Sequence, residues 1–148
     1  MARSSALGDA TNIEPGPDDR KVASLIRSAD SDARLLLRLS NGEEVELPDA
    51  LAKVVRASAT EISEGHTITV LASETLLTPA EVGELLGLSR PFVARLLDQG
   101  VIASEHLPDS SHRVVRLADA LAFQARRERR QEGRKRISQI IESGDLPY

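Results

Sequence analysis

Between residues 77 and 102 the chain is punctuated so closely that little except two short helices fits. Thr78-Pro79-Ala80-Glu81 places an N-cap threonine, a proline at the first helical position and a glutamate at the third. The Thr78 hydroxyl suits the Glu81 amide and the Glu81 carboxylate suits the Thr78 amide, a reciprocal capping box. Val82, Leu85 and Leu86 then fall on one face, and Gly87 stands where a helix ends in a left-handed residue. Ser89 caps a second helix, Arg90 to Gln99, which Gly100 stops. Two capped helices joined by a Gly-Leu turn form the pattern of a helix-turn-helix.

Beyond Gly100 the chain alternates like strands. Val101–Leu107 and His112–Leu117 flank a polar tip, Pro108–Ser111, so a hairpin is expected there, placed as a wing. A helix over Ala118–Arg130 is expected to bury Ala118, Leu121, Ala122 and Ala125. Upstream, 33–47 reads as another hairpin. Leu35, Leu37 and Leu39 alternate with Arg34, Leu36 and Arg38, and Asn41-Gly42 supplies the positive-φ pair of a tight turn. Pro48 opens a helix to about Glu64 with Leu51, Val54, Val55 and Ile62 as its buried stripe, and His66–Ala72 alternates as a third strand. This ββαβ module is too small to be comfortable alone, and its open strand edges favour dimerisation or packing on the second module. Residues 1–17 are small and polar and are expected to be disordered, while Val22, Leu25, Ile26 and Ala29 mark a short helix after them.

The chain has 148 residues and a net charge of −4, which would repel nucleic acid, but the average conceals a segregation. Residues 126–136 (RRERRQEGRKR) carry seven cations against Glu128 and Glu132, whereas residues 1–125 carry twelve cations and nineteen anions. Such a reversal marks a local interaction surface. It also has the plainer reading of a solvated helix face laced with its two glutamates. Sixteen of the nineteen cations are arginine, the planar fork suited to phosphate and carboxylate, or the mark of a genome rich in G and C. There is no cysteine, which excludes disulfides and thiolate sites and agrees with a reducing cytoplasm. Apolar runs fall far short of a membrane span, and no signal-peptide pattern opens the chain.

At LTPAEVGELLGLSRPFVARLLDQGVI (77–102) and RVVRLADALAF (113–123) the sequence resembles the MerR-like and excisionase-type winged helix-turn-helix domains. More narrowly, it is similar to bacterial antitoxins that are paired with PIN-domain ribonuclease toxins. The resemblance implies an α+β fold: a disordered lead with a short helix (1–32), a ββαβ module (33–75), a winged helix-turn-helix (76–132) and a helical C-terminal tail (133–148). It implies double-stranded DNA, the protein's own operator, as one partner. Ser89 and Arg90 would meet phosphate at the start of the recognition helix, and Arg95 would face the groove. Phe92 would either join the core or touch a thymine methyl, and His112 and Arg113 would stand at the wing tip. Where many such wings carry a basic tip, this one has Asp109. With only Arg90 and Arg95 on the recognition helix and Asp98 opposing them, a homodimer reading two half-sites about 34 Å apart is expected.

In the tail, Ile137, Ile140 and Ile141 sit at i, i+3, i+4 with nothing in their own segment to cover them. They pack back on the domain or bind another protein's groove, the toxin in the resembled family. No enzyme is expected. His66, His106 and His112 complete no metal site, since His106 and His112 are better explained as pairing across a hairpin. The carboxylate pairs lie in solvated turns, and no cofactor motif is present. The leading expectation is a cytoplasmic type II antitoxin that represses its own promoter. A stand-alone regulator without a toxin, or an adaptor whose helix-turn-helix no longer reads DNA, fits the same residues.

Overall fold

The computed structural model describes residues 5–144. Five helices and three small antiparallel sheets make a mixed α+β chain among these residues. They fall into two compact units, Thr11–Val70 and the residues on either side of it.

In the Thr11–Val70 unit, β1 (Thr11–Ile13) precedes α1 (Pro17–Ser28), the hairpin β2 (Leu36–Arg38) and β3 (Glu44–Glu46), α2 (Asp49–Ser63) and β4 (Ile68–Val70). Gly16 caps α1, and its amide donates to Asp19 Oδ2 at 2.7 Å, with Pro17 in the first turn. α1 lies against α2, and one small residue on each is buried: Ala23 and Ala59 are the unit's buried apolar residues. Arg27 Nη1 donates to Ser63 Oγ at 3.1 Å across the same contact. The expected stripe on α2 is therefore shifted. Val55, Ala59 and Ile62 turn toward α1, while Leu51 and Val54 remain more than half exposed.

Two expectations for this half do not hold. The lead is not featureless, because Thr11–Ile13 pairs antiparallel with Ile68–Val70, and Thr69 Oγ1 donates to Asn12 Oδ1 at 2.7 Å. The third strand thus has a partner from before α1, and 33–75 is not one continuous ββαβ sheet; the hairpin stands as a separate two-stranded ribbon. The ribbon's turn also differs. Gly42 has φ 86° but Asn41 does not share it, and Gly42 N donates to Leu39 O while Leu39 N donates to Glu43 O. That is a three-residue loop with a glycine bulge rather than a two-residue positive-φ turn.

The second unit holds β5 (Leu76–Leu77), α3 (Pro79–Leu86), α4 (Arg90–Asp98), β6 (Glu105–His106), β7 (Arg113–Arg116) and α5 (Leu117–Ser143). Its punctuation matches the expectation closely. Glu81 N donates to Thr78 Oγ1 at 3.2 Å, and Thr78 N to Glu81 Oε2 at 2.7 Å. Gly87 ends α3 at φ 64°, and Ser89 Oγ accepts from Phe92 N at 3.4 Å. β7 lies between β5 and β6. The core joins Leu77, Val82 and Leu86 to Val93, Leu96 and Leu97, closed by Ile102, Val115, Leu117, Ala120 and Phe123. Leu85, expected inside, is partly exposed.

α5 departs from expectation in phase and in length. Leu117, Ala120 and Phe123 are buried, whereas Ala118, Leu121, Ala122 and Ala125 face outward. The strand sets this rotation. Leu117 N and Ala118 N donate to Thr75 O and Ser73 O, so the helix starts directly off β7 with no loop to reorient it. Gly133 does not break it: the helix runs 27 residues, about 40 Å, to Ser143. A helical glycine costs only about 1 kcal/mol against alanine, and its neighbours are good helix formers.

Glu81 also ties residues before the strands to this unit. Its Oε1 accepts from Ala6 N at 2.7 Å, and Ala6 and Leu7 pack against the core. Burial by itself raises the Glu81 pKa, but hydrogen bonds from the Thr78 amide, Ser5, the Ala6 amide and the Thr78 hydroxyl outweigh it, so the net shift is below the ordinary 4.5. A lowered folded value contributes stability that is complete above the unfolded value and is lost as pH falls through the folded one. Glu81→Gln is therefore expected to flatten the loss of stability below about pH 4.5. At neutral pH it should cost about 1 kcal/mol by leaving a partly buried amide donor without an acceptor. Urea titrations at pH 7 and pH 4 measure both; a wild-type acid limb retained in the variant would refute this account of Glu81.

Candidate functional site

α4 buries Val93, Leu96 and Leu97, and at 100° per residue this leaves Pro91, Arg95 and Gln99 on its outward side. Arg90 and Arg95 are exposed, and neither makes an ion pair or hydrogen bond with any described residue. Their guanidinium groups stand in solvent, and α4's first turn, at Ser89 and Arg90, carries no acidic residue to oppose an incoming anion. Asp98 does not oppose these arginines as expected. Arg113 Nη1 holds it at 2.6 Å, tying the end of α4 to β7.

That pairing corrects the placement of Arg113. It is about one-third exposed and committed to Asp98 rather than presented at the tip. Arg116, the next outward cation on β7, is likewise paired, with Glu105 at 3.0 Å. His112 does lie at the tip and is exposed. Leu107 N donates to its carbonyl and its own amide donates to Ser110 Oγ. Asp109 takes φ 57°, a left-handed conformation that aspartate tolerates better than most residues. His112 and Arg113 line a cavity of about 620 Å³ shared with Ala94 and Asp98 of α4, so the hairpin tip and one flank of α4 form one concave surface.

Phe92 does not join the core; it is exposed, at 36%, on α4's other flank. It borders a groove of about 460 Å³ between α4 and α5 whose floor is Leu96, Val101 and Phe123 and whose far wall is Arg126, Arg127, Arg130 and Arg134. Those four arginines were not singled out from the sequence, where the basic run is undivided. The helix separates it. Ile137, Ile140 and Ile141 are all exposed, and they do not pack back on the domain. The tail's last four positions, Asp145, Leu146, Pro147 and Tyr148, lie outside the described residues.

The histidines of the hairpin do not face each other, because His106 is opposite Arg113 in the register. Elsewhere, Glu61, Glu64 and His66 bring one ligand atom each close together, but all three are exposed and Arg27 already contacts Glu64. Among the described residues, no helix is long and apolar enough to cross a membrane.

No family model and no solved structure matches the chain. The uncharacterized protein Rv2310 of Mycobacterium tuberculosis and the uncharacterized protein Mb2337 of Mycobacterium bovis are each 34% identical to it over 84 residues. The match covers 56% of this chain and 72% of each relative. This chain belongs to their family. The names of these relatives state no activity, so function has to be argued from the surfaces of α4, the hairpin and α5.

Proposed function

We propose that this protein is a DNA-binding antitoxin of a type II toxin–antitoxin pair. In this reading α3, α4 and the β6–β7 hairpin act as a winged helix-turn-helix. α4 enters the major groove with Arg95 toward base edges, Ser89 and Arg90 meet phosphate at its start, and His112 contacts the backbone from the wing. Two copies would read two half-sites, as so few contacts per copy require. The C-terminal part of α5, with Ile137, Ile140 and Ile141, would hold a nuclease toxin of the PIN class in a groove that covers the apolar stripe.

The observation that carries the DNA reading is the state of Arg90 and Arg95: exposed, unpaired, and on a capped helix whose own carboxylate, Asp98, is held by Arg113. The exposed isoleucines favour a protein partner over the stand-alone regulator. A gel-shift titration against a duplex from upstream of its own gene tests the first half. Binding should be tight at about 50 mM salt and weaken steeply by about 200 mM, since phosphate contacts release counterions. Absence of any salt-dependent shift would leave the adaptor reading standing.

A further inference from the structure

The basic run on α5 is sorted by the helix into unlike faces. At 100° per residue, Arg126, Arg127, Arg130 and Arg134 fall within an arc of about 100°, in line with the buried Phe123. Glu128 and Glu132 fall on the opposite side. Glu128 accepts from Gln124 Nε2 at 2.9 Å, and no arginine between 126 and 136 makes an ion pair with a described residue. The glutamates therefore do not lace this face, and the plainer reading of the run as a self-neutralised solvated helix does not apply to it. Of the four arginines, Arg126 is anchored, with Nη2 donating to Val101 O at 3.2 Å. The other three are free of such bonds.

The position of this row matters as much as its charge. It forms the wall of the groove that Phe92 borders, and Phe92 lies only about 60° around α4 from Arg95. The groove thus opens beside the side of α4 that carries Arg95. From Arg126 to Arg134 the row covers about 12 Å of helix axis, the rise of three to four phosphates along one strand of a duplex. Of the apolar residues in the groove, Leu96 and Phe123 are more than nine-tenths buried, which leaves Phe92 and Val101 open. A row of four arginines with only two open apolar side chains beside it fits a phosphodiester strand better than a peptide, which would need apolar anchors.

Resting on the DNA-binding reading of α4, we propose that Arg127, Arg130 and Arg134 track the sugar-phosphate backbone of the duplex that α4 reads, as a second contact that carries affinity without sequence preference. The protein would then hold its operator from two sides of α4, the hairpin on one flank and α5 on the other. That supplies the charge which the chain as a whole lacks and which the paired Arg113 and Arg116 do not provide.

The test is a salt series on the full chain with two duplexes, the upstream sequence and a scrambled one. For R127A/R130A/R134A, the slope of log affinity against log salt should fall in magnitude by about 2 to 3, with affinity for both duplexes reduced alike. Alanine favours helix, and unchanged circular dichroism would verify that α5 persists. R129A/K135A/R136A, on other faces of the same helix, should leave more of the slope intact. An unchanged slope in the first triple variant, with R95A still impairing operator binding, would overturn the α5 contact and leave the α4 reading in place. So would a triple variant that keeps DNA binding but loses a co-purifying acidic protein. If wild type bound neither duplex, the DNA reading itself would fail, and this contact with it.

Discussion

Replacing Arg90 and Arg95 together by alanine is expected to lower operator affinity by about two orders of magnitude or more. Each well-placed arginine is worth about 1–3 kcal/mol of recognition, and these two are the only cations on α4. Both side chains are exposed and unpaired, so their removal leaves no buried charge behind and the fold should be unaffected. The double variant should still hold a protein partner through the exposed isoleucines. Removing residues 133–148 should do the reverse, abolishing partner binding while costing DNA binding only the Arg134 contact. Gel shift and co-purification, run on the same two variants, separate the activities. Equal damage to both activities by both changes would refute the division of labour.

The second large effect concerns stability. Phe123→Ala should destabilise the unit built on α3, α4 and α5 by about 3–5 kcal/mol, the range for a buried aromatic truncated in a packed core. Phe123 is 9% exposed and lies in one cluster with Leu96, Val115, Leu117 and Ala120. Leu121→Ala, two residues earlier on the same helix but nearly half exposed, should change stability by less than about 1 kcal/mol. Urea unfolding followed by circular dichroism compares the two. If Leu121 proved the costlier loss, the helix would be rotated as periodicity alone suggests, and the core around Phe123 would be misassigned.

That contrast shows where local pattern stops being informative. The capping box at Thr78 and Glu81, the left-handed Gly87 and Gly100, and the Ser89 cap were all legible, since each is settled within a few residues of chain. The phase of α5 was not, because the hydrogen bonds from Leu117 and Ala118 to Thr75 and Ser73 impose it from a turn before β5, about forty residues back in the sequence. β1 escaped notice for the same reason. Three residues in a polar lead carry no period, and only their pairing with Ile68–Val70 makes them a strand. Gly83 is another such case. It is neither a cap nor a turn; a Cβ there would stand 2.8 Å from the Leu88 carbonyl oxygen, so the turn into α4 needs its bare backbone.

The candidate site divides in the same way. Ser89, Arg90, Arg95 and the isoleucine stripe were legible as residue types at helical spacing; whether the stripe packs back on the domain was left open by the pattern, and its exposure came only from the fold. The sorting of Arg126, Arg127, Arg130 and Arg134 onto one face, away from Glu128 and Glu132, was also within reach of helical geometry, provided the helix passes through Gly133. The division expected between residues 132 and 133 separated Arg134 from the other three. Arg113 could not have been placed from the sequence, because its commitment to Asp98 depends on a contact between a strand and a helix fifteen residues apart.

Local chemistry by itself determined where the helices of the second half begin and end, and which residue types their outer faces offer, since capping and periodicity are short-range. Which of those charges stay free was decided only in three dimensions. Whether an arginine remains open to a ligand depends on the carboxylates that packing brings within reach, and neighbours in space are not neighbours in the chain.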